Sequence, residues 1–278
     1  MSGSLHFAVE RSGQGVWTAT FTNPPINMLP PSAIVELQAL VTEVEADARA
    51  KVLVFQSADP DFFIAHFDTA RAAEMPREPG PSGQSPWIDV VVRLARSPVI
   101  SIAKIRGRTR GVGSEFALAC DMRFASRQRA IFGQPEVGVG LPPGGGALEW
   151  LPYLAGRSRA LEIVLSGDDF DAELAERYGW INRALDDGAL DAFVDSLAAR
   201  LASFDRQTLG ELKAQVNRIG VPTGAQLETS NQLFWEALKR PASQARRAKL
   251  PDLGYGQRGD FELNFGRRLP GLAPADAT

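Results

Sequence analysis

Along the first hundred or so residues the spacing of apolar positions changes more than once. In GVWTATFTN (residues 15–23) large and polar side chains alternate, the period of a strand with one covered face. NPPINMLPP follows as a loop set by its prolines. Over residues 32–50 the interval lengthens. Ile34, Val35, Leu37, Leu40, Val41 and Val44 recur at helical spacing, while Glu36, Glu43, Glu45 and Asp47 take the outer face. VLVF (52–55) and PVISIAKI (98–105) are unbroken apolar runs, as in strands covered on both faces. Between them, REPGPSGQSP (77–86) reads as a mobile surface loop, and WIDVVVRLA from Trp87 as a helix. Strands alternating with helices place the chain in the α/β class.

Further on, Gly144 to Gly146 open a helical stretch holding Leu148, Trp150, Leu151 and Leu154, and Gly156 and Gly167 sit where helices end. WINRAL (180–185) has a strand pattern. From about Gly188 helical spacing dominates, over 190–204, 208–218 and 225–239, which predicts an all-helical appendage. No fixed-period repeat or low-complexity tract interrupts this order.

Composition narrows the picture. The 278 residues suit one large domain with an appendage, or two modest domains. Thirty basic against 33 acidic residues give a formal charge of -3, with no like-charge run, so nucleic acid and membrane are not expected partners. One cysteine, Cys120, set among apolar neighbours, excludes an internal disulfide framework and fits a reducing compartment. With only His6 and His66, a histidine-rich metal site is not available. The start MSGSLHFAVERSGQG lacks a signal pattern, and no window holds the roughly 20 apolar residues of a spanning helix. A cytoplasmic protein is expected.

One acid stands out. RGVGSEFALACD sets Glu115 ahead of Phe116, Ala117, Leu118, Ala119 and Cys120, a run apolar on every side and therefore a buried helix. Gly111, Gly113 and Ser114 leave the helix start open to close approach, where free N–H groups suit developing negative charge. A carboxyl kept dry there has a raised pKa suited to acid–base work, or else Glu115 merely caps its own helix. GVGSEF also carries two glycines of a dinucleotide-binding turn, but Phe116 occupies the third place. FQSADPDFFIAHFD (55–68) leads from a strand towards a helix that Asp68 can help start, and IFGQPEVGVGLPPGGG (131–146) holds a second isolated acid, Glu136, after Pro135.

Taken in order, NPPINML, FFIAHFD, GVGSEFALACDMRFAS, FGQPEVGVGLPPGGG and DAELAERYGWINRAL resemble blocks of the crotonase superfamily, the enoyl-CoA hydratase/isomerase family. The resemblance implies a spiral of repeated β-β-α units as catalytic core over 1–205, and a C-terminal helical oligomerisation region over 206–278. It implies that the peptide N–H groups of Phe67 and Val112 hold a thioester carbonyl oxygen. Glu115 then helps activate water for the β-carbon, and Glu136 protonates the α-carbon. Ala65, His66, Asp68, Gly111, Gly113, Pro135 and Gly144 fall beside the substrate. The implied activity is water addition to a 2-enoyl-CoA, with CoA entering as part of the substrate, no metal or other cofactor, and a homotrimer or dimer of trimers. Enoyl-CoA isomerase, a hydrolase of carbon–carbon or thioester bonds, and a noncatalytic acyl-CoA binder are the alternatives. For a hydrolase, Ser114, His66 and Asp68 lie in blocks the family fold brings together.

The chain departs from the family pattern at His66, Phe67 and Val112, where small residues or glycine are usual, and in RRAKLPDLGYGQRGDFELNFGRRL (246–269). The basic residues there, Arg246, Arg247, Lys249, Arg267 and Arg268, face either phosphates or water.

Overall fold

The computed structural model describes residues 6–272. β1 (Phe7–Arg11) and β2 (Val16–Phe21) form an antiparallel pair. In β2 the alternation is realised as expected: Trp17, Ala19 and Phe21 are buried and the residues between them half-exposed. α1 (Pro31–Ala46) follows, ending before the predicted limit because the chain turns at Asp47 to enter β3 (Val52–Ser57).

From β3 onward the chain repeats one motif. β3, β4 (Phe62–Ile64) and α2 (Pro86–Arg96) make the first β-β-α turn. β5 (Ile100–Ile105), β6 (Arg108–Arg110) and α3 (Val112–Ala119) make the second. β7 (Met122–Ser126), β8 (Ile131–Gly133) and α4 (Ala147–Leu154) make the third. α5 (Arg157–Ser166), β9 (Phe170–Asp171), α6 (Ala172–Tyr178) and β10 (Arg183–Leu185) complete the core. The first strand of each turn adds to a larger sheet of order β1-β2-β3-β5-β7-β10, and the second to a smaller one of order β4-β6-β8-β9. Pairing is parallel except for β1 with β2 and β8 with β9. This is the expected spiral.

The unbroken apolar runs find their cause in two covered faces. On one, Leu53, Phe55, Ala103 and Ile105 join the main core with residues of α1, α2 and α3. On the other, Val52, Val54, Ile102 and Phe124 meet Leu190, Val194, Ala198 and Ala202 of α7 (Asp187–Ala202). The segment 77–86, expected to be mobile, is held at Ser82, whose N–H donates to the buried Asp89 carboxylate at 2.8 Å.

The region after residue 205 packs on this body. α8 (Arg206–Gly220) contacts α2 and β5, and α9 (Gly224–Ala237) contacts α2 and α4. α10 (Pro241–Arg247), α11 (Asp260–Leu263) and α12 (Phe265–Arg268) are short. Leu250, Phe265, Leu269 and Leu272 pack with Ala237 onto Val139 and Leu141, in an apolar cluster separate from the main core. Among the described residues, no helix is long and apolar enough to cross a membrane.

Candidate active site

A cavity of about 760 Å³, counting its mouth, opens where α3 begins. Its wall is built from the loop after β4, the α3 N-terminus, the 3-10 turn Pro135–Val139 and the glycines before α4, and α9 and the C-terminal segment close over it. His66, Phe67, Gly111, Val112, Glu115, Pro135, Glu136 and Gly144 all line it. Eight of the positions singled out in the sequence thus share one space.

β6 passes into α3 through Gly111, whose φ of +51° disfavours any side chain. A Cβ there would also stand 2.7 Å from Oε1 of Glu136. The helix that follows is buried along its whole length. The N–H groups beside the two proposed donors are consumed: Gly111 donates to Gly133 at 3.0 Å and Asp68 to Leu29 at 3.0 Å. The N–H groups of Phe67 and Val112 have no hydrogen-bond acceptor among the described residues, Val112 because the first amides of a helix lack partners within it.

Glu115 does not cap its own helix. Oε1 accepts the N–H of Gly145 at 2.6 Å and that of Ala147 at 3.3 Å, at the start of α4. The Trp87 indole N–H holds the same loop through the Gly145 carbonyl, at 3.3 Å. Burial pushes the Glu115 carboxyl up to about 7 against the pull of those amides, and the charge of Glu149 adds to the rise. Glu136 is buried too, and its Oε2 has no partner among the described residues. Burial, and then the charge of Glu115, raise it well above the usual carboxylate range. Two dry acids therefore face one cavity.

A sequence model of enoyl-CoA hydratase/isomerase matches residues 11–247. The chain belongs to that family. It is 30% identical over 216 residues to a crotonyl-CoA hydratase of Syntrophomonas wolfei, covering 76% of this chain and 79% of the relative. It is 28% identical over 230 residues to a short-chain-enoyl-CoA hydratase of Clostridium acetobutylicum, covering 82% and 85%. The crystal structure of a "putative enoyl-CoA hydratase" from Streptomyces avermitilis superposes with a TM-score of 0.93 at 43% identity, over 99% of both chains.

Three positions expected beside the substrate lie outside the cavity lining of this family member. Ala65 packs with Ile26 and Phe62, Gly113 lies against Ile64, and Asp68 precedes the 3-10 turn Thr69–Glu74 without capping it. The Ser-His-Asp arrangement does not form. The Ser114 hydroxyl accepts the Trp180 indole N–H at 3.1 Å, and Nε2 of His66 lies 3.1 Å from both oxygens of Glu262.

The C-terminal segment supplies what the sequence reading missed. Tyr255 lines the cavity, stacks on His66 with ring centroids 4.5 Å apart, and places its hydroxyl 3.0 Å from Nδ1. Burial alone would raise Glu262, yet the His66 ring and the Gly256 N–H, 2.7 Å away, hold it below the ordinary range. Burial and then the Glu262 charge raise the Tyr255 phenol. Arg110, fully buried, grips Asp169 through two bonds of 2.7 and 2.8 Å and donates to the carbonyls of Glu262 at 2.6 Å and Leu263 at 3.2 Å. From α9 come Asn231, Phe234 and Trp235, whose two rings meet Phe67 edge-on.

The five basic residues have different fates. Arg247 lines the cavity but spends an N–H on the Leu238 carbonyl, and Arg246 reaches the Gly138 carbonyl. Arg268 pairs with Asp260, while Lys249 and Arg267 are exposed. Among the described residues no group of His, Cys, Asp and Glu is arranged to hold a metal.

Proposed function

We propose that the protein adds water across the double bond of a 2-enoyl-CoA thioester. The observation that carries this reading is the pair of buried carboxyls, Glu115 and Glu136, lining one cavity with the two unpaired N–H groups. Phe67 and Val112 would donate to the thioester oxygen, where charge develops as C3 is attacked. Each such donor typically supplies about 3 to 4 kcal/mol of transition-state stabilisation.

The environments of the two acids divide their work. Glu115, bonded to two amides, is the one that ionises first and takes a proton from water as the oxygen bonds to C3. Glu136, whose Oε2 has no donor and whose charge is helped by its own N–H alone, stays protonated and gives its proton to C2. Passage of a proton from Glu115 back to Glu136 restores the starting state. The ring edges of Phe67, Phe234 and Trp235 offer an apolar wall to the acyl chain. A homotrimer or dimer of trimers belongs to the same reading and is tested by sedimentation equilibrium.

Loss of the enoyl-thioester ultraviolet band on mixing with crotonyl-CoA measures the reaction. Glu115→Gln and Glu136→Gln should each lower kcat about 10²- to 10⁴-fold with little effect on binding. A wild type that binds CoA esters without turning them over makes the protein a binder. One that only shifts the double bond makes it an isomerase, and release of free CoA makes it a hydrolase.

A further inference from the structure

Both proposed donor peptides trace back to one turn of the C-terminal segment. His66, whose peptide bond carries the Phe67 N–H, is held by the Glu262 side chain. Arg110, joined to Val112 through Gly111 alone, is held by the main-chain carbonyls of Glu262 and Leu263. Glu262 and Arg110 are fully buried and His66 is 5% exposed, so none of these bonds competes with bulk water.

Local main-chain bonds complete the hold on each donor. The loop at 66–68 is also tied to Leu29, by bonds of 2.9 and 3.0 Å, and to the Tyr255 hydroxyl of the same C-terminal segment, which donates to the Phe67 carbonyl at 3.4 Å. On the other side, Gly111 is bonded through both its groups, its N–H to the Gly133 carbonyl and its carbonyl to the Glu115 N–H, each at 3.0 Å, so the Val112 N–H, which shares a peptide with that carbonyl, is set together with the end of β6 that Arg110 anchors. Asp169 holds that guanidinium from β9's side, and Glu262 and Leu263 hold it from the C-terminal side. When ionised, Glu262 is an acceptor only, so it fixes Nε2 of His66 as a protonated nitrogen.

We propose that Glu262 is a positioning residue for the oxyanion hole, its α11 turn setting the two main-chain donors at their working separation. This rests on the hydratase reading. Glu262 touches no substrate atom in this scheme; it acts through His66 and Arg110.

The test uses crotonyl-CoA kinetics together with a 3-arylacryloyl-CoA, whose absorption band moves to the red when bound donors polarise its carbonyl. Glu262→Gln is expected to shrink that red shift and lower kcat about 10- to 100-fold, as small misplacements of reacting groups do, with KM little changed. Glu262→Asp, which keeps the charge, should recover part of both. Arg258→Ala is the control. Arg258 ties the same segment to Asp59 and Asp61 without contacting His66 or Arg110, so this variant lowers Tm and leaves red shift and kcat intact. A folded Glu262→Gln protein with full red shift and full kcat overturns the proposal. If that variant does not fold, His66→Gln carries the test, with the same loss expected and full retention overturning it. A wild type that neither shifts the bound chromophore nor hydrates crotonyl-CoA defeats the hydratase reading and this inference with it. A wild type that shifts without hydrating leaves the red shift of the variants to decide the positioning role alone.

Discussion

Two carboxyl groups buried against one cavity cannot both ionise cheaply, and which one yields depends on the donors each can reach. Glu115 has the amides of Gly145 and Ala147; Glu136 has only its own N–H, and its Oε2 is unpaired. Activity that needs Glu115 ionised and Glu136 protonated follows a bell. The rate kcat/KM should rise through about pH 7, where Glu115 loses its proton, and fall at higher pH where Glu136 does. Initial rates across a buffer series check this, and a flat profile from pH 5 to 9 would contradict the assignment. The same burial bears on stability. A carboxyl whose folded pKa is raised binds its proton more tightly in the native state, so stability falls as pH rises from the unfolded value of 4.5 towards about 7. Glu115→Gln removes that loss, on the order of 3 kcal/mol. Its Tm should therefore exceed the wild type's by more at pH 8 than at pH 5.

At the scale of elements, α3 and the turn before it carry the most exacting requirements. Gly111→Ala would force a Cβ into a backbone region with a cost of about 1 to 3 kcal/mol, and against the carboxylate of Glu136. Urea denaturation should show that loss, and kcat should fall with it. The helix itself was legible because its apolar residues surround it, and β3 and β5 because strands covered twice read as unbroken apolar runs. Glu115 and Glu136 were legible as acids set in apolar surroundings and as family positions. Their division into amide-bonded and unpaired was not, since it depends on where α4 starts in space. α11 and α12 were not legible either. Each is a single turn of 4 residues, too short for a period to appear, and α11 follows a segment broken by Gly254, Gly256 and Gly259. The contact of Arg110 with Glu262 spans 152 residues and leaves no local trace in composition.

For the molecule as a whole, the C-terminal segment is a wall of the site as well as a covering of the core. Phe265 is buried against His66 and Tyr255 and belongs to the cluster that holds Val139 and Leu141, next to the turn bearing Glu136. Phe265→Ala should cost about 3 to 5 kcal/mol, the usual range for a buried phenylalanine. Hydrogen exchange should then quicken together in 135–141 and 250–272 while β3 and β5 stay protected, which would show the two regions opening as one unit.

That arrangement also orders events during synthesis. Glu115, Glu136 and every strand of both sheets leave the ribosome before Tyr255, Glu262 and Phe265. A nascent or prematurely terminated chain can thus own both acids yet lack the tether proposed for the Phe67 and Val112 amides, and on that proposal chemistry waits on the last turns to be translated.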